Sequence, residues 1–192
     1  MNRVCLLRFV RPRLRLADLA SGSMIRTTGY VRTIDMISDI IRAQIVRNVD
    51  AERDDTIEEL REIFSYPYHA DTGALIFRLE VDRGAFGINL VAADRDGGYI
   101  RVNSLGESLY ATRFNRFGFG WSAFANCGIK VDEIGRLQQA GRFATRHLYE
   151  WLTDRFAEAG GLDFPIACVL IKHEASRGWH LQQRTWTTRY SA

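Results

Sequence analysis

The chain has 192 residues, 46% of them apolar, enough for one domain with a sizeable core and too many apolar residues for disorder to be the default. Twenty-six basic residues against 23 acidic ones leave a net charge of +3, a balance that neither announces nor excludes a nucleic-acid partner. Cys5, Cys127 and Cys168 show no CxxC or Cys/His ligand spacing, which argues against a disulfide scaffold or a structural zinc; no metal and no cofactor are expected.

Residues 1–23 carry Arg3, Arg8, Arg11, Arg13 and Arg15 against the single acid Asp18. The apolar piece from Val4 to Val10 is broken by Arg8, so it is too short and too charged for a secretory core. An organelle transit peptide, a basic tail and an extension upstream of a start at Met24 all fit this composition. No membrane span is expected, and localisation stays open with the cytoplasm as the default. The expected organisation is a basic leader over 1–23 and one compact domain over 24–192.

Ile34, Ile37, Ile40, Ile41 and Ile45 recur at helical spacing behind Thr33, predicting an amphipathic helix over 33–47 with Thr33 as its cap. The polar stretch 48–55 breaks it, and Thr56-Ile57-Glu58-Glu59 has capping-box form at the head of a second, short helix ended by Tyr66-Pro67. From Gly73 the period changes to two. Leu75, Phe77, Leu79 and Val81 alternate with Arg78, Glu80 and Asp82, a half-buried strand, and 86–93, 99–103 and 108–114 repeat the pattern between polar loops as a meander. Ile134, Leu137, Gly141, Ala144, Leu148 and Trp151 then mark a long helix, about 131–159, that Gly160-Gly161 stops. The last stretch, 182–190, favours a strand or irregular edge through Thr185, Trp186, Thr187 and Thr188.

Between them lies an uninterrupted run of six small or apolar residues, Ile166 to Ile171, that leads into Lys172-His173-Glu174-Ala175-Ser176-Arg177. The run belongs in a core as strand or buried helix. If helical, Glu174 and Arg177 share one face, as an ordinary ion pair or as the heart of a site. His173-Glu174 does not make a zinc-protease motif, because Arg177 occupies the position of the second histidine. Residues 117–124 imitate an RNA-recognition octamer, but Phe117 and Ser122 stand where a basic residue and a valine belong. Cys127 beside any histidine makes a thiol dyad only if the fold unites them, so a plain buried cysteine is the simpler reading.

Taken together, Glu174-Ala175-Ser176-Arg177 behind the apolar run, the stretch Tyr99 to Tyr110 with its Tyr, Gly, Ser and Tyr spacing, Phe117-Gly118-Phe119-Gly120, and Gly29-Tyr30-Val31 resemble the ribosome-inactivating proteins, the family of ricin A chain and Shiga toxin A chain. The resemblance runs from about Tyr30 to Arg177. It implies an α+β fold with an N-terminal helix, an antiparallel-rich mixed sheet over about 74–114, the long helix over 131–159 and a buried central catalytic helix over about 164–181, without the family's C-terminal segment. The implied activity is that of a toxin-type, monomeric rRNA adenine N-glycosidase, which depurinates an exposed loop of large-subunit rRNA on the ribosome and releases adenine.

In that scheme Tyr99 stacks on the adenine and Phe124 takes the second stacking place, one residue beyond the family's tyrosine slot at Ala123. Glu174 stabilises the oxocarbenium-like ribose and orients water, while Arg177 stabilises the departing base. Arg101, Arg113 and Arg116 are candidate phosphate contacts or a solvated strand face. Two rivals stand beside this scheme: a catalytically defective relative that binds RNA or a protein, and an unrelated α+β domain with a chance Glu-Ala-Ser-Arg.

Overall fold

The structure, a computed structural model, describes residues 37–82, 85–108, 115–116, 122–130, 132–173 and 175–188. The chain divides into the units Met1–Arg32 and Thr33–Ala192; the first, with the whole basic leader, lies outside the described residues, and the fold below is that of the second.

Two helices lead. Helix α1 (Asp39–Asp50) opens behind Ser38, whose side chain accepts a hydrogen bond from the Ile41 N–H, so the cap is Ser38; the expected cap Thr33 lies outside the described residues. Ile41, Ile45 and Val49 are the buried side of α1. Helix α2 (Arg53–Ser65) follows after two residues and starts one turn earlier than the capping-box pattern predicts. Thr56 is not its cap but a fully buried residue inside it, because Ile57, Leu60 and Ile63 turn that side of the helix into the core.

Strands β1 (Thr72–Asp82) and β2 (Ala85–Asp94) form a long antiparallel pair. Beyond β2 the meander is weaker than its pattern predicts: β3 covers only Tyr99–Ile100, followed by an isolated Val102–Ser108 bridge. The expected strand over 108–114 falls largely outside the described residues, and the pairing seen there is β4 (Asn115–Arg116) against Ile88 and Asn89 of β2. Helix α3 (Ile134–Glu158) matches its predicted extent, and Gly160, at a left-handed φ of 93°, turns the chain out of it.

The central correction concerns the apolar run. Residues 167–172 are not part of a buried helix; they are strand β5 (Ala167–Lys172), parallel to β1 with Leu75 opposite Cys168 and Phe77 opposite Leu170. Ala167 to Leu170 are all buried, so this stretch of β5 is covered on both faces, and such a strand carries continuous apolar sequence where one with a solvated face would alternate. Six residues fill such a strand and are too few for a fully buried helix. Antiparallel β6 (Gly178–His180) and β7 (Thr185–Thr187) complete the sheet, whose order is β3-β2-β1-β5-β6-β7 with β4 beside β2. The fold is α+β with a mixed sheet, as expected, although the sheet extends well past the predicted 74–114.

One core holds these elements together. Leu75, Phe77 and Leu79 of β1, Ile88 and Leu90 of β2, and Cys168 and Leu170 of β5 present one face of the sheet to Ile41 and Ile45 of α1, Leu60 and Ile63 of α2, and Ala144, Leu148 and Phe156 of α3. Trp179 lies on that same face, since it is registered against Leu170.

Candidate nucleic-acid interface

The core takes one side of α3 and leaves another free. Leu137, Ala140, Ala144, Leu148, Leu152 and Phe156 are buried, whereas Arg142, Thr145, Arg146, Tyr149, Glu150, Thr153 and Asp154, of which only Thr153 is buried, recur by threes and ones and form a second stripe. The sheet reaches past this stripe. Strands β6 and β7 set Trp179 opposite Trp186, and with Arg184 they wall an open groove of about 650 Å³ against the α3 stripe.

The aromatic walls are held in different ways. Trp179 donates its indole N–H to Thr153 Oγ1 at 3.0 Å, and Thr153 donates in turn to the Tyr149 carbonyl at 2.5 Å. Both polar groups are thereby used up, so Trp179 offers the groove only ring surface. Trp186 meets Trp179 edge to face at a centroid distance of 5.5 Å and Tyr149 at 5.4 Å, yet 51% of it stays exposed. The Tyr149 hydroxyl accepts the Lys172 backbone N–H at 3.2 Å. Burial pushes its pKa above the ordinary phenol value, against that hydrogen bond, so the hydroxyl stays a proton donor at neutral pH.

The charges are mostly cationic and loosely engaged. Arg142 and Arg146 stand one helical turn apart on exposed positions, and neither forms an ion pair among the described residues. Arg184 reaches Asp154 at 3.5 Å, a long and exposed pair of little energetic weight. Arg184 also holds a left-handed φ of 52° at the end of the β6–β7 turn, where glycine or asparagine would be less strained. Outside the lining, the Arg177 guanidinium lies 5.8 Å from the Trp186 ring centroid.

The site residues expected from sequence are not brought into one cleft. Tyr99 is 59% exposed on β3, opposite Ala93 and therefore on the sheet face away from the helices. Its hydroxyl accepts from Arg78 Nη2 at 2.7 Å, and the same guanidinium lies 5.8 Å from its ring centroid. Arg177 immediately precedes β6, four strand spacings away, about 19 Å across the sheet, beside an indole on the helix-facing side. Phe124, in the short turn of helix Ser122–Phe124, is 6% exposed and packed in the core, so it offers no free face to a base. The turn is held to α1 by Asn48, whose side-chain amide donates to the Ala123 and Ala125 carbonyls. Glu174 and Arg113 lie outside the described residues. Arg116 is on β4 by its backbone, and Arg101 is exposed just after β3.

The groove residues themselves were within reach of the sequence only in part. The arginines and Tyr149 were visible as the polar complement of the α3 core stripe, but their meeting with Trp179 and Trp186 depends on the β5–β6–β7 topology. Among the described residues no helix is long and apolar enough to cross a membrane, and no cluster of three His, Cys, Asp or Glu side chains can hold a metal ion. Compared with known proteins, the chain matches no family model, no curated protein sequence and no solved structure.

Proposed function

We propose that the chain is a single-stranded RNA-binding module that uses the groove between α3 and the β6–β7 ribbon. The observation that carries this reading is the half-exposed Trp186, seated beside Trp179 and Tyr149 and flanked by Arg142, Arg146 and Arg184 in one open groove. An exposed aromatic face takes a base of any sequence, and cations beside it take the phosphates on either side. Glu150 and Asp154 fit the same ligand: they repel phosphate but accept from a ribose 2′-hydroxyl, a feature that separates RNA from DNA. The strained Arg184 is consistent with a turn kept for a contact, since folding alone favours glycine or asparagine there.

The test is anisotropy of a labelled unpaired RNA octamer, with single-stranded DNA of the same sequence as comparison. Trp186→Ala should weaken RNA binding about tenfold or more, the usual effect of removing one stacking platform. Joint Arg142→Gln and Arg146→Gln should weaken it uniformly across sequences. RNA binding indifferent to all three changes refutes the assignment.

The rRNA adenine N-glycosidase remains a second and narrower proposal, favoured by one observation: Arg177, its candidate for stabilising the leaving base, stands against an indole able to stack. It is decided by adenine release from purified ribosomes. Release abolished by Glu174→Ala and by Arg177→Ala supports it, and no release above background removes it.

A further inference from the structure

Arg177 does not line the groove, yet it stands over the ring most available to a ligand. Its guanidinium lies 5.8 Å from the Trp186 centroid; its own residue is exposed, and no carboxylate pairs with it among the described residues. Trp186 is already flanked by Trp179 and Tyr149. A base that stacks on the face of Trp186 covered by the guanidinium therefore competes with it for the ring.

We propose that Arg177 makes the groove selective for phosphorylated ligands: it caps Trp186 when the groove is empty and yields to a base only when the ligand supplies an anion for the displaced guanidinium. The inference rests on the RNA-binding reading and names what that site demands of its ligand. A bare nucleoside that enters loses the cation–π contact and gives Arg177 nothing in return. A nucleotide replaces that contact with a forked, charge-assisted hydrogen bond from guanidinium to phosphate, which is the stronger interaction. Position suits the exchange, because Arg177 belongs to the short connection from β5 to β6, one residue ahead of Gly178 and close to Trp186 through the β6–β7 pairing. Arginine fits both roles, since its planar group stacks on a ring and also grips an anion with two parallel donors.

The experiment titrates the full chain with adenosine, adenosine 5′-monophosphate and an RNA pentamer, reading tryptophan fluorescence, in wild type, Arg177→Gln, Arg177→Lys and Arg142→Gln. Wild type should hold the monophosphate about tenfold more tightly than the nucleoside, on the scale of one well-placed cation–π contact and its replacement. Arg177→Gln should shrink that ratio mainly by raising nucleoside affinity, because the ring is freed. Arg177→Lys, which keeps charge but not the flat stack, should fall between. Arg142→Gln should lower affinity for phosphorylated ligands without helping the nucleoside, which separates a cap from a mere cation.

An unchanged ratio in Arg177→Gln, or a nucleoside affinity that falls with it, overturns the inference while pentamer binding keeps the RNA reading intact. If wild type binds none of the three ligands, the RNA reading fails and this inference falls with it. Thermal unfolding of Arg177→Gln within a few degrees of wild type, as expected for an exposed side chain, assigns the affinity changes to the groove.

Discussion

His180 shows how one residue's surroundings set its chemistry. It sits on β6, 7% exposed, opposite Val169, and its Nδ1 accepts the Gln183 backbone N–H at 3.4 Å. Burial disfavours the imidazolium and pushes the pKa below the ordinary histidine value of 6.5. The sign follows from linkage: as pH falls through about 6.5, the unfolded chain takes up a proton that the native site refuses, so stability drops toward acid. Urea unfolding should give a lower midpoint at pH 5.5 than at pH 7.5, and His180→Asn should flatten that dependence. A steepness unchanged by the substitution assigns it to other groups.

Cys168 obeys the same rule with the opposite sign. It is fully buried, and burial holds its thiol far above the ordinary range against a hydrogen bond to Gln182. That makes it a packing residue of β5 and not a nucleophile. The simple reading of Cys127 as a plain buried cysteine suits it as well, since it is buried with its pKa raised by desolvation.

Among the elements, β5 decides most. It pairs along its length with β1 and, at Val169 and Leu170, also with β6, so these two residues are held between neighbours at the centre of the sheet. The amides of Val169 and Leu170 should exchange among the slowest in the chain, and residues 167–172 should show the Cα shifts of extended backbone. Helical shifts or fast exchange there would contradict this topology. The neighbouring elements show how far local pattern reaches. Helix α3 was legible to within a few residues because its core stripe persists from Leu137 to Phe156, more than five turns, whereas α1 and α2 were misplaced at their starts. A threonine before a periodic run is a cap by pattern, but Thr56 is needed inside the core, and Ser38 makes the bond that defines the beginning of α1.

Across the whole molecule, charge is spread so that composition conceals it. The α2 surface carries Asp54, Asp55, Glu58, Glu59 and Glu62, while the exposed stripe of α3 carries Arg142 and Arg146 beside Arg184. A net charge of +3 averages these two surfaces. If Arg142, Arg146 and Arg177 each neutralise one RNA phosphate, log affinity should fall against log salt with a slope of about −2. Raising salt from 50 to 200 mM should then cost about 15-fold in affinity, and a slope near zero would mean that stacking acts alone. Removing both Arg142 and Arg146 should bring the slope toward −0.7.

Local pattern was enough for the α+β class, the β1–β2 pair and the span of α3, because periods of 2 and 3.6 are local consequences of how side chains leave a strand or a helix. Pattern alone left the run 166–171 open between strand and helix, since a segment buried on every side has no period to read, and the resemblance assigned it to a catalytic helix, which the structure overturns. The assembled sheet settled that choice: β5 pairs with β1 and β6 along its edges, and Ala167 to Leu170 are buried on both faces. The same placement put Tyr99 and Arg177 on opposite faces of the sheet, buried Phe124, and set Trp179 and Trp186 across from the arginines of α3. Residues more than thirty positions apart meet there through strand order, a property of the assembled sheet that no local pattern encodes.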